Sequence, residues 1–352
     1  MKIVSKAPCR VDLAGGTLDI WPLYLFHQDS VTVNFAVDRY TYCELEERDD
    51  STYEVSSRDL QCCVRFSNVD SLLKTTNPKL KLVSEMMRFF APQLRDHPHG
   101  WTVGTHSEAP AGAGISGSSA LLIAAASAFN KICKTGYSLE KIREIAQNVE
   151  ARIIRVPTGC QDYYPAMYGG VSAIHLLPCG IKRVGLPVDA EQLNQRFVLA
   201  YTGEPRNSGI NNWEVTKAHI GGDRAVHKNF DRIAEISNGM RGALEGNDWV
   251  GVARLLREEW GHRKKNAPGI TTPLIDQLMA TTKRKGSLAA KVCGAGGGGC
   301  VLFLVEPGTK EKVAAAITAQ GATVLNAAVA PAGVQVKATA AKGKAKTLKA
   351  GA

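Results

Sequence analysis

Three glycine-rich turns are the places where this 352-residue chain could do chemistry. The middle one reads Pro110-Ala111-Gly112-Ala113-Gly114-Ile115-Ser116-Gly117-Ser118-Ser119-Ala120 and runs into the apolar stretch Leu121-Leu122-Ile123-Ala124-Ala125-Ala126. A helix starting there offers unpaired N–H groups and the positive end of its dipole. Glycines let the backbone close on an anion, and serine hydroxyls can bond a phosphate or coordinate Mg²⁺. No Lys follows the glycines, so this is not the G-x-x-x-x-G-K-[ST] phosphate loop but would be a different one. Taken alone, it reads equally as a flexible Gly/Ser connection with an ordinary helix cap.

The first turn is Arg10-Val11-Asp12-Leu13-Ala14-Gly15-Gly16-Thr17-Leu18-Asp19. A strand carries Arg10, and the glycines bring the chain round to Asp19. That carboxylate either caps a helix or accepts hydrogen bonds from sugar hydroxyls. The third turn is Cys293-Gly294-Ala295-Gly296-Gly297-Gly298-Gly299-Cys300. Four consecutive glycines exceed what a hairpin needs, so the chain there must pass close to a ligand or to another glycine-rich loop. In Tyr201-Thr202-Gly203-Glu204-Pro205-Arg206-Asn207-Ser208-Gly209 the Arg206 guanidinium could clamp a phosphate, or the segment is a surface turn. His175, His219, His227 and His262 show no metal-ligand spacing and read as structural or surface residues.

The elements that must position these turns follow from periodicity. Val4 to Leu13, Val31 to Glu46 and Trp101 to His106 read as strands. Leu80 to Phe90 reads as a helix, and Ser119 to Cys133 as a buried helix, apolar on every face. Ser138 is a suitable N-cap for a helix whose Ile142, Ile145, Ala146, Val149 and Ile153 share one face, and Pro157 ends it. Beyond Gly169-Gly170, strands at 171–176 and 197–201 precede helices near 211–219, 226–242, 249–265 and 272–282. Strands at 291–293 and 300–305 flank the third turn. A helix at 310–319 and strands near 323–328 and 334–336 follow. Two domains are expected, 1–180 and 181–336, with a basic low-complexity extension at 337–352.

Composition narrows the class. No window approaches the ~20 apolar residues of a membrane span. The start lacks a signal peptide's apolar run, so a cytoplasmic protein is expected. The nine cysteines are odd in number and hold no C-x-x-C pair, which disfavours a disulfide framework or a zinc site. The net charge is +10, but five lysines lie in the extension, and discounting them leaves +5. That field suits anionic small molecules. Nucleic acid is not expected as a partner, because the basic residues show no aromatic interleaving or recognition motif.

Order and spacing of the three motifs carry more than each alone. The P-x-R-x-x-x-x-G-G start, the P-x-x-x-G-[LI]-x-G-S-S loop and the late G-x-G-G-G turn resemble the GHMP kinases, from about Lys6 to Val336. Gln161-Asp162-Tyr163 before Tyr168-Gly169-Gly170 is most similar to the sugar branch, which holds heptose 7-phosphate kinases and fucokinases. The resemblance implies an α+β two-domain fold: a ribosomal-protein-like N-terminal α/β domain with a left-handed β-α-β unit, and a C-terminal ferredoxin-like domain, with the site between them. It implies ATP as phosphoryl donor, Mg²⁺ as cofactor and a sugar or sugar phosphate as acceptor. A homodimer is a base-rate expectation.

Roles transfer residue by residue. Pro110, Gly112, Gly114, Ser116, Gly117, Ser118 and Ser119, with Gly296 and Gly297, would bind ATP phosphates. Ser118 and Glu150 would hold Mg²⁺. Asp162 would be the base, with Arg10 beside it favouring its ionised form. Gly16, Thr17, Asp19, Gln161, Tyr164 and Arg206 would bind the acceptor. Two departures matter: Gly-Gly-Thr-Leu-Asp replaces the more usual Gly-Gly-Gly-Thr-Asp, which bears on the sugar, and Ser116 stands where Gly is commoner. A non-sugar acceptor, as for mevalonate kinase, or a catalytically silent sensor of sugar and ATP, are the alternative readings.

Overall fold

The computed structural model describes residues 1–205, 208–266 and 268–339; Arg206 and the extension from 340 onward lie outside the described residues. The chain opens with two long strands, β1 (Lys2–Ala14) and β2 (Val31–Glu47), joined through the first glycine turn and a 3-10 turn at Leu23–Phe26. A hairpin of β3 (Tyr53–Ser57) and β4 (Cys62–Phe66) follows. Then come helices α1 (Val69–Leu73), α2 (Lys81–Phe89) and α3 (Ala91–Arg95), and strand β5 (Trp101–Ser107). Helices α4 (Gly117–Ile132), α5 (Leu139–Ile154) and α6 (Tyr163–Tyr168) lead to the hairpin β6 (Val171–Leu177) and β7 (Gly180–Gly185).

The second half holds α7 (Ala190–Asn194), β8 (Phe197–Tyr201), α8 (Ser208–Ile220), α9 (Arg224–Glu245), α10 (Trp249–Arg263) and α11 (Pro273–Lys283). It continues with β9 (Ser287–Val292), β10 (Cys300–Val305), α12 (Lys310–Thr318) and β11 (Thr323–Leu325), and β12 (Gln335–Thr339) returns to the first half. One sheet runs β12-β1-β2-β5-β3-β4, with β6 on β2 and β7 on β6. All its pairings are antiparallel except β3 with β5. The other sheet is β11-β8-β10-β9, antiparallel throughout. The mixed two-sheet architecture is the α+β class expected.

Helix α4 is the keystone. From Leu122 to Phe129 every residue is buried, and five of those eight are alanine or serine. Small side chains let the helix lie close on β1 and β2, while Leu122, Ile123 and Phe129 each contribute about 1.5–3 kcal/mol by burial. A helix so enclosed cannot shift, so the loop at its N-terminus is fixed in place. Helix α5 packs on α4 through Ile142, Ile145, Ala146 and Val149, and Ser138 accepts from the Lys141 N–H as its cap. It ends at Ile154, with Arg155 in the left-handed region at φ 61°, two residues before the expected stop at Pro157. The residue before a proline is pushed out of helical space, and the chain turns before reaching that position.

Other differences concern short polar elements. Residues 53–57, 62–66 and 180–185 form strands that the apolar pattern does not signal, and 163–168 is a helix rather than a loop. The closing strand extends to Thr339 and pairs with β1, with Lys337 opposite Val4. The basic extension therefore begins as sheet, and a strand assigned by position to the second half sits on the first. No helix among the described residues is long and apolar enough to cross a membrane.

Candidate active site

A cleft of about 350 Å³ opens between the two halves. The first half lines most of it, and Asn212, Arg263, Gly294 and Ala295 line it from the second.

At one end lies the loop before α4. Ser116 is the N-cap residue, in the left-handed region at φ 57°, with Gly112 and Gly114 also at positive φ. Glycine suits that conformation best, which explains why Gly is commoner at position 116. Pro110, Gly112, Gly114, Ser116, Gly117 and Ser118 line the cleft. Ser119 points to the same carboxylate as Ser118: Ser118 Oγ donates to Glu150 Oε1 at 2.5 Å, and Ser119 Oγ to Oε2 at 2.7 Å. Tyr163 OH donates to Oε2 at 2.6 Å. Burial pushes the Glu150 pKa up, and the hydroxyl donors only partly offset it. Among the described residues no cation pairs with this carboxylate.

At the other end the charges are paired. Arg10 donates through Nε and Nη2 to Asp162 Oδ1 at 2.9 and 2.7 Å, and through Nη1 to the Gly114 carbonyl at 2.8 Å. The Arg10 backbone N–H donates to the Ile115 carbonyl, so β1 grips the serine loop directly. Asp162 heads α6 without capping it, and no hydrogen bond reaches its second oxygen among the described residues. Asp19 is buried, and its Oδ2 accepts from the Gln161 backbone N–H at 2.8 Å. Burial, then the charge of Asp162, push the Asp19 pKa up to about 6. Thr17 and Gln161 also line this end.

Beneath it lies an ionic network that motif reading misses. Asp12 follows Arg10 by two on β1, hence on the same face. It accepts from Lys291 Nζ at 2.7 Å and from the Gly294 backbone N–H at 2.9 Å, and lies 3.4 Å from Arg10 Nη1. Lys291 also meets Glu259 at 3.1 Å, with both side chains fully buried. Burial alone would raise the Asp12 pKa, yet Lys291 and Arg10 hold it well below the usual carboxylate range. Arg263, one turn from Glu259 on α10, donates to the Gly16 carbonyl and Thr17 Oγ1, and to the Gly294 carbonyl at 3.1 Å. The available signals were a lysine inside the apolar strand at 287–292 and the i, i+4 pair Glu259/Arg263.

Some expected positions lie elsewhere. Tyr164 does not face the cleft: it is fully buried beside Leu18 and Ile20, and its hydroxyl reaches Glu140 at 3.2 Å. An aromatic ring in a short amphipathic helix is drawn to the apolar side. Gly16 does not line the cleft itself, and its carbonyl accepts from Arg263, which does. Gly296 and Gly297 pack on Ile270 and Gly269, whereas Gly294 and Ala295 line the cleft. The third turn also meets the second: the Cys300 N–H donates to the Ala113 carbonyl at 2.6 Å, and a Cβ on Gly299 would come within 2.7 Å of that oxygen. Of the two alternatives for the four glycines, contact with the other glycine-rich loop is the one observed.

The chain is 25% identical over 314 residues to the D-glycero-alpha-D-manno-heptose 7-phosphate kinase of Campylobacter jejuni, covering 88% of this chain and 91% of that one. It is 22% identical to the mevalonate kinase of Thermococcus onnurineus, covering 96% and 99%. The crystal structure of a D-glycero-D-manno-heptose 1-phosphate kinase from Bacteroides thetaiotaomicron superposes with a TM-score of 0.77 at 23% identity, covering 96% of this chain and all of that one. Residues 81–170, which carry the serine loop and Glu150, match the GHMP kinases N terminal domain, and residues 240–323, which carry Glu259, Arg263, Lys291 and the third turn, match the GHMP kinases C terminal family. With both of its halves matched around the cleft they share, the chain belongs to the GHMP kinases.

Proposed function

We propose that this protein transfers the γ-phosphate of ATP to a hydroxyl of a sugar phosphate of the heptose class. The observation that carries the reading is Asp162 held by Arg10 at 2.7 Å on one oxygen, in the same cleft as the serine loop. The acceptor hydroxyl would hydrogen-bond the second oxygen of Asp162. Its oxygen forms a bond to the γ-phosphorus as the bond to the β,γ-bridging oxygen breaks, the proton passes to Asp162, and ADP leaves. Arg10 orients the carboxylate and keeps it beside the loop. The N–H groups ahead of α4 face the phosphates and offset their charge. The apolar end of the cleft, around Leu82, Val83 and Ile153, suits an adenine ring.

Asp19, Thr17 and Gln161 would bind acceptor hydroxyls, with Arg263 holding the Gly16 carbonyl and the Thr17 hydroxyl. The Ser118 and Glu150 oxygens fit Mg²⁺, since Glu150 is a buried carboxylate supplied only with neutral donors. When bound, Mg²⁺ would neutralise charge on the β- and γ-phosphates.

The test is ADP release with Mg-ATP against heptose phosphates, other sugar phosphates, free sugars and mevalonate, beside Asp162→Asn. Turnover on a heptose phosphate, reduced ~10²–10⁴-fold in the variant, is expected. Turnover on mevalonate alone, or ATP binding without turnover on any acceptor, would overturn the reading.

A further inference from the structure

Spacing along the sequence gives the histidines no metal pattern, but the fold brings three of them together. His27 follows the 3-10 turn after the first glycine turn, His219 ends α8 and His227 begins α9. One ring nitrogen from each lies within 4.8 Å of the others. His27 Nε2 is 2.7 Å from His219 Nε2, and the His219 and His227 rings stack at 3.9 Å between centroids. His27 and His219 are buried, at 5% and 1% exposure.

The outer nitrogens of His27 and His227 are oriented as in metal centres, where a ligating imidazole turns its second nitrogen to a carboxylate or a carbonyl. His27 Nδ1 lies 2.6 Å from Asp231 Oδ1, and His227 Nε2 lies 2.9 Å from the His219 carbonyl oxygen. The His219 ring is poorly provided for. His219 Nδ1 is buried without a hydrogen-bond partner, and its Nε2 meets another imidazole rather than an oxygen. Phe26 and Phe230 wall the cluster, at 5.6 Å from the His219 and His27 rings respectively.

We propose that His27, His219 and His227 form a binding site for a divalent transition ion of the Zn²⁺ type, with Asp231 as the carboxylate behind His27. Three imidazoles and no thiolate suit Zn²⁺ and its neighbours rather than Mg²⁺ or Ca²⁺. Two nitrogens on one tetrahedral zinc at ~2.0–2.1 Å lie about 3.3 Å apart, so His27 and His219 must open by roughly half an ångström. The half-exposed side of His227 leaves a fourth position for solvent. The ion would tie the segment after Asp19 to α8 and α9. Asn212 on α8 lines the cleft, so the tie holds one cleft wall in register with the other. It makes no contact with the serine loop and is independent of the kinase reading.

The test uses untagged, chelator-treated full-length protein titrated with Zn²⁺ and with Co²⁺, beside His219→Ala and His227→Gln. Stoichiometric Zn²⁺ uptake, a visible Co²⁺ absorption and a rise in melting temperature are expected in the wild type, all lost in both variants. His227→Gln changes a partly exposed ring and keeps the test open if His219→Ala fails to fold. Uptake unchanged in His227→Gln, or no uptake by the wild type above a His219/His227 double variant, would leave the cluster as a hydrogen-bonded pair of neutral rings with a third stacked on it, and the proposal overturned.

Discussion

Asp12 and Glu150 are both buried carboxylates beside one cleft, and they are stabilised by opposite means. Asp12 meets Lys291 and Arg10, and its pKa falls in spite of burial. Glu150 meets three hydroxyls and no described cation, and its pKa rises because of burial. A carboxylate with its counter-charge built in is a structural part. It links β1 to β9 and α10 and holds the two halves together under the end of the cleft that Arg10 and Asp162 line. A carboxylate given only neutral donors retains its affinity for a cation from solution. The same residue chemistry is thus a clamp at one end and, on the function proposed above, would be a receptor at the other.

The largest effect should come from breaking the clamp. Lys291→Met leaves Asp12 and Glu259 buried without their shared cation and should cost about 3–5 kcal/mol in urea unfolding. A loss well under 1 kcal/mol would mean that the network is not the joint between the halves.

Asp19 lies between the two cases, with a backbone N–H and, among the described residues, no ion pair of its own. Its folded pKa of about 6 exceeds its ordinary 3.8, so between those values the folded protein holds a proton that the unfolded chain has lost. Stability should therefore fall by roughly 3 kcal/mol as pH rises through that window, and Asp19→Asn should flatten the fall in chemical melts. A variant with the same slope as the wild type would place the titration elsewhere.

Glu150→Gln sharpens the receptor side. It should raise the Mg²⁺ needed for half-maximal activity by about 10–100-fold without lowering the melting temperature. Destabilisation with an unchanged Mg²⁺ requirement would make Glu150 a second structural acid. The smallest effect belongs to Ser116→Gly, which relieves a left-handed residue without touching charge. It should raise stability by up to ~1 kcal/mol and leave kcat unchanged.

Arg10 and Asp162 are legible as a pair before the fold is known and the clamp is not, for a physical reason. Glycine turns, the serine pair before an all-apolar helix and the Ser138 cap are local signals, read within a dozen residues. Arg10 and Asp162 could be joined only through the resemblance, and the structure brings them to 2.7 Å across 152 positions. Lys291 with Asp12 spans 279 positions, and no local periodicity encodes such a pairing. The strands at 53–57 and 180–185 were missed because their exposed faces carry as many polar side chains as a loop. Tyr164 was misread for the converse reason: its polar neighbours suggested a site, while its own ring was needed by the core.

The return of β12 to β1 has a consequence for how the protein is made. Thr339 bonds across to Lys2 over 337 residues, so a ribosome delivers the outer neighbour of β1 after every other described strand. Until then the nascent first half carries an unpaired strand edge, the feature most prone to recruit a stray strand from another chain. Lys2 and Lys6, in the stretch of β1 that awaits β12, put positive charge along that edge during the wait. A chaperone that shields strand edges should therefore matter more for this protein's yield than its final stability suggests.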